Sequence, residues 1–201
     1  MWACVNSLGW IIGLEFGWFI FRAALDLGMV LIVIDPPGLI ITPILFATVI
    51  GLTIGLVQWL LIRRYIFRSG WWIVASMGGH IVGNILIYVS TPYLLSVGRP
   101  LQNNVVAGAL VGVSIGTAQW LVLRKQFYQS GLWILGNTVG WSISYLLSSL
   151  MAERIVTCHD TCQSSIGGMT LGIITGWMLM RLLHHSTAHT RQLSGEATQE
   201  V

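Results

Sequence analysis

The chain has 201 residues, 55% of them hydrophobic and only 8% charged, with a mean hydropathy of +0.77 and a formal net charge of +3. A soluble domain of this size carries roughly a quarter charged residues, so the composition excludes a water-soluble globular body and asks for lipid as its solvent. The basic residues stand at the ends of apolar runs, which points to membrane topology and sets nucleic acid aside as a partner.

Taken in order, the first apolar run covers about 2–24. It lacks a basic leader and Glu15 interrupts it, so it reads as mature structure and not as a signal peptide. Residues 25–42 place the greasy MVLIVI between Asp26 and the turn Asp35-Pro36-Pro37-Gly38, a stretch expected to extend the first helix or to lie in the interface. The second run, about 43–63, ends in Gly51–Arg64, GLTIGLVQWLLIRR. The link RRYIFRSGWW leads to a third run over about 71–91, with Ser69 expected to cap it. Residues 92–104, rich in Pro, Gly and Asn, read as a loop before the fourth run at about 105–124. That run ends in Gly112–Lys125, GVSIGTAQWLVLRK, which repeats the earlier motif at an offset of 61. A matching link, RKQFYQSGLW with Ser130 as its cap, opens the fifth run at about 132–151. After a polar loop, the sixth run at about 166–184 carries a worn third copy, TGWMLMR at Thr175–Arg181, with Gly176 where the others have Gln58 and Gln119.

The odd-numbered runs are related as well. Trp2-x-x-x-Asn6-x-x-Gly9-Trp10, Trp72-x-x-x-Ser76-x-x-Gly79-His80 and Trp133-x-x-x-Asn137-x-x-Gly140-Trp141 share one spacing. The expected fold is therefore an all-α integral membrane protein of six transmembrane helices. They form three helical-hairpin repeats at about 2–64, 71–125 and 132–183, within a single domain over 1–184, and residues 185–201 form a polar tail expected to be disordered. The repeat motif itself comprises Gln58, Trp59 and Arg63, Gln119, Trp120 and Arg124, and Trp177 and Arg181. Glycines four apart, such as Gly51/Gly55, Gly112/Gly116 and Gly168/Gly172/Gly176, predict close helix contacts, because small residues let two backbones meet where lipid supplies no hydrophobic drive. Seven basic residues (Arg63, Arg64, Arg68, Arg124, Lys125, Arg181, Arg191) fall on one side and three (Arg22, Arg99, Arg154) on the other, which predicts both termini in the cytoplasm. Trp2, Trp59, Trp71, Trp72, Trp120, Trp133 and Trp177 lie near that side and read as an interfacial belt.

Candidate binding residues follow from polar groups at membrane depth, where ionisable side chains are functional by default. Ser76, His80 and Asn84 form a stripe at i, i+4 and i+8; Asn137 and Tyr145 hold the equivalent places in the fifth run, and Glu15 is the one acid inside a predicted span. Each has a bland counterpart: the stripes hydrogen-bond between helices, and Glu15 pairs with Arg22 toward the interface. Cys158 and Cys162, with three residues between them in the last outer loop, are expected to form a disulfide, and no metal ligand set has conventional spacing. Phosphate loops, HExxH and CxxCH are all missing from the sequence, so no catalytic role is expected and no particular cofactor is implied.

The repeated Gln-Trp-Leu-x-Leu/Ile-Arg, preceded by Trp-x-x-x-Asn-x-x-Gly-Trp, resembles a group of multi-pass proteins of bacteria, cyanobacteria and their like, over about residues 2–183. The resemblance implies a plasma or thylakoid-type membrane and brings no activity or site residue with it. The residues lead first to a non-enzymatic binding or scaffold subunit whose partners are the lipid bilayer, a hydrophobic cofactor or another membrane subunit. Two alternatives stay open: a small-solute or vitamin transporter or its binding component, and a tetrapyrrole or other pigment carrier using His80 as axial ligand.

Overall fold

The computed structural model describes residues 1–26, 38–97, 100–127, 129–154 and 166–184. These form six helices: α1 (Trp2–Asp26), α2 (Gly38–Ile62), α3 (Trp71–Val97), α4 (Pro100–Leu123), α5 (Leu132–Arg154) and α6 (Ile166–His184). The expected disulfide, the MVLIVI stretch and the polar tail all lie outside the described residues.

Five helices contain a stretch long and apolar enough to cross a membrane, so the chain is a multi-pass membrane protein. The sequence predicts six such spans, and α5 is the exception. It is 23 residues long but carries Asn137, Thr138, Ser142, Ser144, Ser148 and Ser149, which dilute its apolar character. Its polar groups are partly neutralised on its own backbone: the Thr138 and Ser149 hydroxyls each donate to the carbonyl four residues back at 2.8 Å.

At the end of the ring away from the 63–70 link, α2 and α3 run longer than composition suggests. α3 continues through Pro92 to Val97 where the sequence predicts a loop, and α2 starts ahead of Pro43. Proline removes one donor but is tolerated in membrane helices whose freed carbonyls find other partners. Thr91 donates to the Ile87 carbonyl at 2.8 Å, and Asn103, at the start of α4, donates to the Leu94 carbonyl at 2.8 Å. The residues that look loop-like thus cap a helix end. In the link before α3, the expected Ser69 cap enters through its backbone instead. Its carbonyl accepts Trp72 N–H at 2.9 Å, while its hydroxyl accepts the Trp59 indole at 3.1 Å.

Each helix packs on the next in chain order, and α6 returns to α1, closing a ring. Glycines set the spacing at most of these seams. A Cβ at Gly51 of α2 would lie 2.8 Å from Met77 Cα of α3, and one at Gly83 of α3 would lie 2.9 Å from Val111 Cα of α4. At Gly112 of α4 it would stand 2.6 Å from Thr138 Cα of α5. The closing seam is equally tight: Gly168 faces Ser7 Cα at 2.8 Å, and Gly172 is seated against Ala3. A side chain at any of these places would push two backbones apart and forfeit the dispersion contacts between them.

The ring is filled. At the end that holds the 63–70 link, Trp72 and Trp133 meet edge to face at 5.6 Å and pack with Ile62, Leu123, Phe127 and Leu182. Further in, Val111, Ile115, Trp141 and Leu171 form a second cluster. Between these two apolar layers lie the polar residues of the stripes.

Candidate functional site

Among the described residues two places stand out for their polar chemistry, one inside the ring and one on its outer face. The interior one is built from the repeated glutamines. Gln58 accepts the Trp72 indole N–H at 2.8 Å and donates to Asn6 Oδ1 at 2.8 Å. Gln119 does the same one hairpin later, accepting from Trp133 at 2.9 Å and donating to Ser76 Oγ at 2.9 Å. Each amide offers both a carbonyl and an N–H, so one side chain joins an indole on one side to a small polar residue on the other. Where α6 has Gly176, Thr175 takes over: its hydroxyl accepts Trp2 Nε1 at 3.0 Å and donates to the Leu171 carbonyl at 2.7 Å.

These bonds correct the reading of the tryptophans as a uniform belt. Trp72 and Trp133 are 0% and 1% exposed. An indole needs hydrocarbon for its ring and one acceptor for its N–H, and a buried glutamine satisfies that need as well as a headgroup does. The belt description suits Trp71 and Trp177, both exposed. A further regularity escapes motif reading although its spacing is in the sequence. Arg63, Arg124 and Arg181 each stand one helical turn after a tryptophan and lie over the rings of Trp59, Trp120 and Trp177 at 5.6, 5.4 and 4.7 Å.

Of the candidate stripe residues, the structure brings Ser76, His80 and Asn137 together in the interior. His80 Nδ1 lies 2.8 Å from the Ser76 carbonyl, which can only accept, so Nδ1 carries the proton. His80 Nε2 is buried with no hydrogen-bond partner among the described residues, and so are Trp10 Nε1 and Trp141 Nε1. The three rings are neighbours: His80 stands edge-on to Trp141 at 5.5 Å, and Trp10 lies 5.4 Å from Trp141. Tyr145 touches Trp141 at 6.0 Å from further along α5. Asn84 and Asn137 turn their amides back to carbonyls of their own helices, at 2.9 and 3.0 Å. Glu15 is exposed on α1 and does not join the buried His80.

The space these groups enclose is small. The cavity lined by Asn6, Gln58, His80, Gln119, Asn137 and Trp141 measures about 10 Å³, room for about one water molecule. One lone pair at His80 Nε2 and an indole N–H at Trp141 suit a single small polar molecule. A macrocycle or a vitamin-sized solute has no place there. No group of three His, Cys, Asp or Glu side chains capable of holding a metal ion occurs among the described residues.

The outer place is a groove of about 530 Å³ between α3 and α4, at the end where the two links emerge. Trp71, Val74, Gly78 and Leu121 line its apolar part, and Arg68, Lys125 and Gln126 its rim. It opens outward, Trp71 being 62% exposed and Leu121 49%. The rim is held by a two-way clasp: Phe67 N–H donates to Gln126 Oε1 at 2.9 Å, and Gln126 Nε2 donates to the Phe67 carbonyl at 3.0 Å. The residue after Phe67, Arg68, has φ of 55°, a left-handed backbone that few non-glycine residues adopt. Motif reading misses this groove because its residues come from two segments some fifty positions apart. A signal does exist in the places where the repeats disagree: one repeat on, Arg68 becomes Gln129 and Gly78 becomes Val139.

Comparison with protein-family models, curated proteins and solved structures finds no match for this chain.

Proposed function

We propose that this is a non-enzymatic membrane binding or scaffold protein whose working surface is the outside of its helix ring. One contrast carries the reading. Among the described residues the cavity beside His80 leaves about 10 Å³, whereas the groove between α3 and α4 offers about 530 Å³, within the range of small-molecule sites. Transport by alternating access needs a solute-sized site between helices near mid-membrane, and a pigment needs room for a ring system beside His80. Neither is favoured by so small a space beside His80. A groove that is apolar along its floor and open to the side suits a component of the bilayer.

In this reading α5 is the sixth span, carried across by its neighbours: its polar groups bond to its own backbone, and Gly112 and Gly116 of α4 seat it closely. The three hairpins are then one repeated unit, each pairing a tryptophan of its first helix with a polar residue of a second helix. Arg63, Arg64, Arg68, Arg124, Lys125 and Arg181 gather at one end of the ring, which faces the cytoplasm by the positive-inside rule. A reporter fused after Val201 is expected to read cytoplasmic; a periplasmic or lumenal signal overturns that orientation.

The binding reading is tested by native mass spectrometry of the full chain released from mild detergent. We expect co-purified amphiphile on the wild type and clearly less on Gly78→Leu, which fills the groove where a Cβ meets nothing within 4 Å. Equal retention by both proteins, or stabilisation by a water-soluble solute that Gly78→Leu leaves unchanged, would move the function away from this face.

A further inference from the structure

We infer that the α3–α4 groove holds an anionic phospholipid, with its phosphate between Arg68 and Lys125 and an acyl chain lying along Val74, Gly78 and Leu121. This rests on the groove being the binding face and names the ligand it selects.

The first support is where charge and grease fall. The apolar spans end at Trp71 and Leu123, and the two cations sit three residues before the one and two after the other. Arg68 and Lys125 therefore stand just beyond the hydrocarbon limit, while the apolar lining runs inward from Trp71 to Gly78, seven residues or about 10 Å along α3. That is the layout of an amphiphile with an anionic head. None of the lining residues is acidic, and among the described residues neither cation has a carboxylate partner. Arg68 makes one ring contact, 5.7 Å over Phe67, which leaves its N–H fork available to a phosphate.

The second support is that the rim is preorganised. The Gln126–Phe67 clasp ties the two links together and fixes the spacing of the cations that follow Phe67 and precede Gln126. A left-handed backbone is strained at an arginine, and here it belongs to a residue that lines the groove. Preorganisation of this kind lowers the ordering cost of binding.

The third support comes from the repeats. Trp72 and Trp133, Gln58 and Gln119, and Gly79 and Gly140 match across copies, and all are buried. Three of the groove residues do not match: Arg68, Trp71 and Gly78 correspond to Gln129, Leu132 and Val139, whereas Lys125 keeps the basic character of Arg64. Cation and open floor occur together on the α3–α4 face, and packing does not explain their choice.

The test adds phosphatidylglycerol or phosphatidylcholine with identical chains to delipidated full-length protein and counts bound lipid by native mass spectrometry. Wild type, Lys125→Gln, Arg68→Gln/Lys125→Gln and Gly78→Leu are compared after thermal melts show that each is folded; the single variant keeps the test alive if the Arg68 change disturbs its turn. Each cation near a membrane surface is worth on the order of fivefold in affinity, so wild type should prefer phosphatidylglycerol by about 25-fold, Lys125→Gln by about fivefold and the double variant not at all. Gly78→Leu should weaken both lipids. If both lipids bind the wild type equally and Gly78→Leu weakens both, the groove reading stands and the anionic inference falls. If the preference survives in the double variant, the headgroup is held elsewhere and the inference falls. If Gly78→Leu changes neither lipid, both readings fall. Displacement of phosphatidylglycerol by millimolar inorganic phosphate would show a site for the free anion and overturn the lipid assignment.

Discussion

Gly78 and Gly79 are adjacent in α3 and answer to opposite demands. A Cβ at Gly79 would lie 2.6 Å from Ile115 Cα of α4, whereas one at Gly78 meets nothing within 4 Å. The first glycine is there so that two backbones can touch; the second leaves the floor of the outer groove open. One residue of rotation, about 100° of helix, separates the packed interior from the open face. The inside is built to be closed, and its glutamines are spent on neighbouring polar groups, while the outside keeps two cations that have no carboxylate partner among the described residues, beside an apolar channel. Stability and binding should therefore respond to different residues.

The largest effect is expected where backbones meet. Gly79→Leu and Gly112→Leu should each cost about 3 kcal/mol or prevent folding, because the atoms in the way are main-chain Ile115 Cα and Thr138 Cα. Gly78→Leu and Leu121→Ala should stay within about 0.5 kcal/mol of wild type. Thermal melts in one detergent decide this, and similar losses for Gly78→Leu and Gly79→Leu would erase the distinction between the two faces.

Next comes the amide network. Gln119→Leu leaves the buried Trp133 indole without its acceptor and removes the donor to Ser76 Oγ, so a loss of about 2–3 kcal/mol is expected. Gln126→Leu at the rim breaks an exposed clasp and should cost about 1 kcal/mol or less, yet reduce lipid retention. A reversal of that order in denaturation midpoints would mean that the interior amides are dispensable.

His80 is expected to matter less than its burial suggests. Among the described residues its imidazole bonds only to the Ser76 carbonyl of its own helix, so His80→Leu strands no described partner on another helix and should cost about 1 kcal/mol. His80→Gln should lie close to it. A loss under His80→Leu as large as that of Gln119→Leu would show that Nε2 has a partner that matters. The smallest effect sharpens the outer side: Gly78→Ala should raise stability by about 0.5 kcal/mol, by restricting the unfolded chain at an unstrained helical site. A measurable destabilisation would mean that this floor is packed.

Much of the interior was legible because repetition and period are properties of sequence. The Gln-Trp spacing at an offset of 61 marks Gln58 and Gln119, and the i, i+4 spacing marks Asn6 with Trp10, Ser76 with His80, and Asn137 with Trp141, all of which the structure places among buried or half-buried residues. Reading fails where one residue type has two equally good environments. Trp71 and Trp72 look alike in a chain, yet one is exposed at the groove and the other is sealed against Gln58. Glu15 shares the depth of the stripe but not its face.

By itself, then, the sequence determined that this chain lives in lipid, that it is helical throughout its apolar runs, and which small residues could let helices meet. Those are local or statistical consequences of composition and period. Tertiary structure alone decided which face of each helix turns inward, and so which indole finds a buried amide and which of two neighbouring glycines is crowded. It also decided that Arg68 and Lys125, from links on either side of the α3–α4 pair, share one rim. Closing the ring from α6 to α1 sets those faces, and closure is a property of all six helices at once, carried by contacts far apart in the chain such as Trp2 with Thr175.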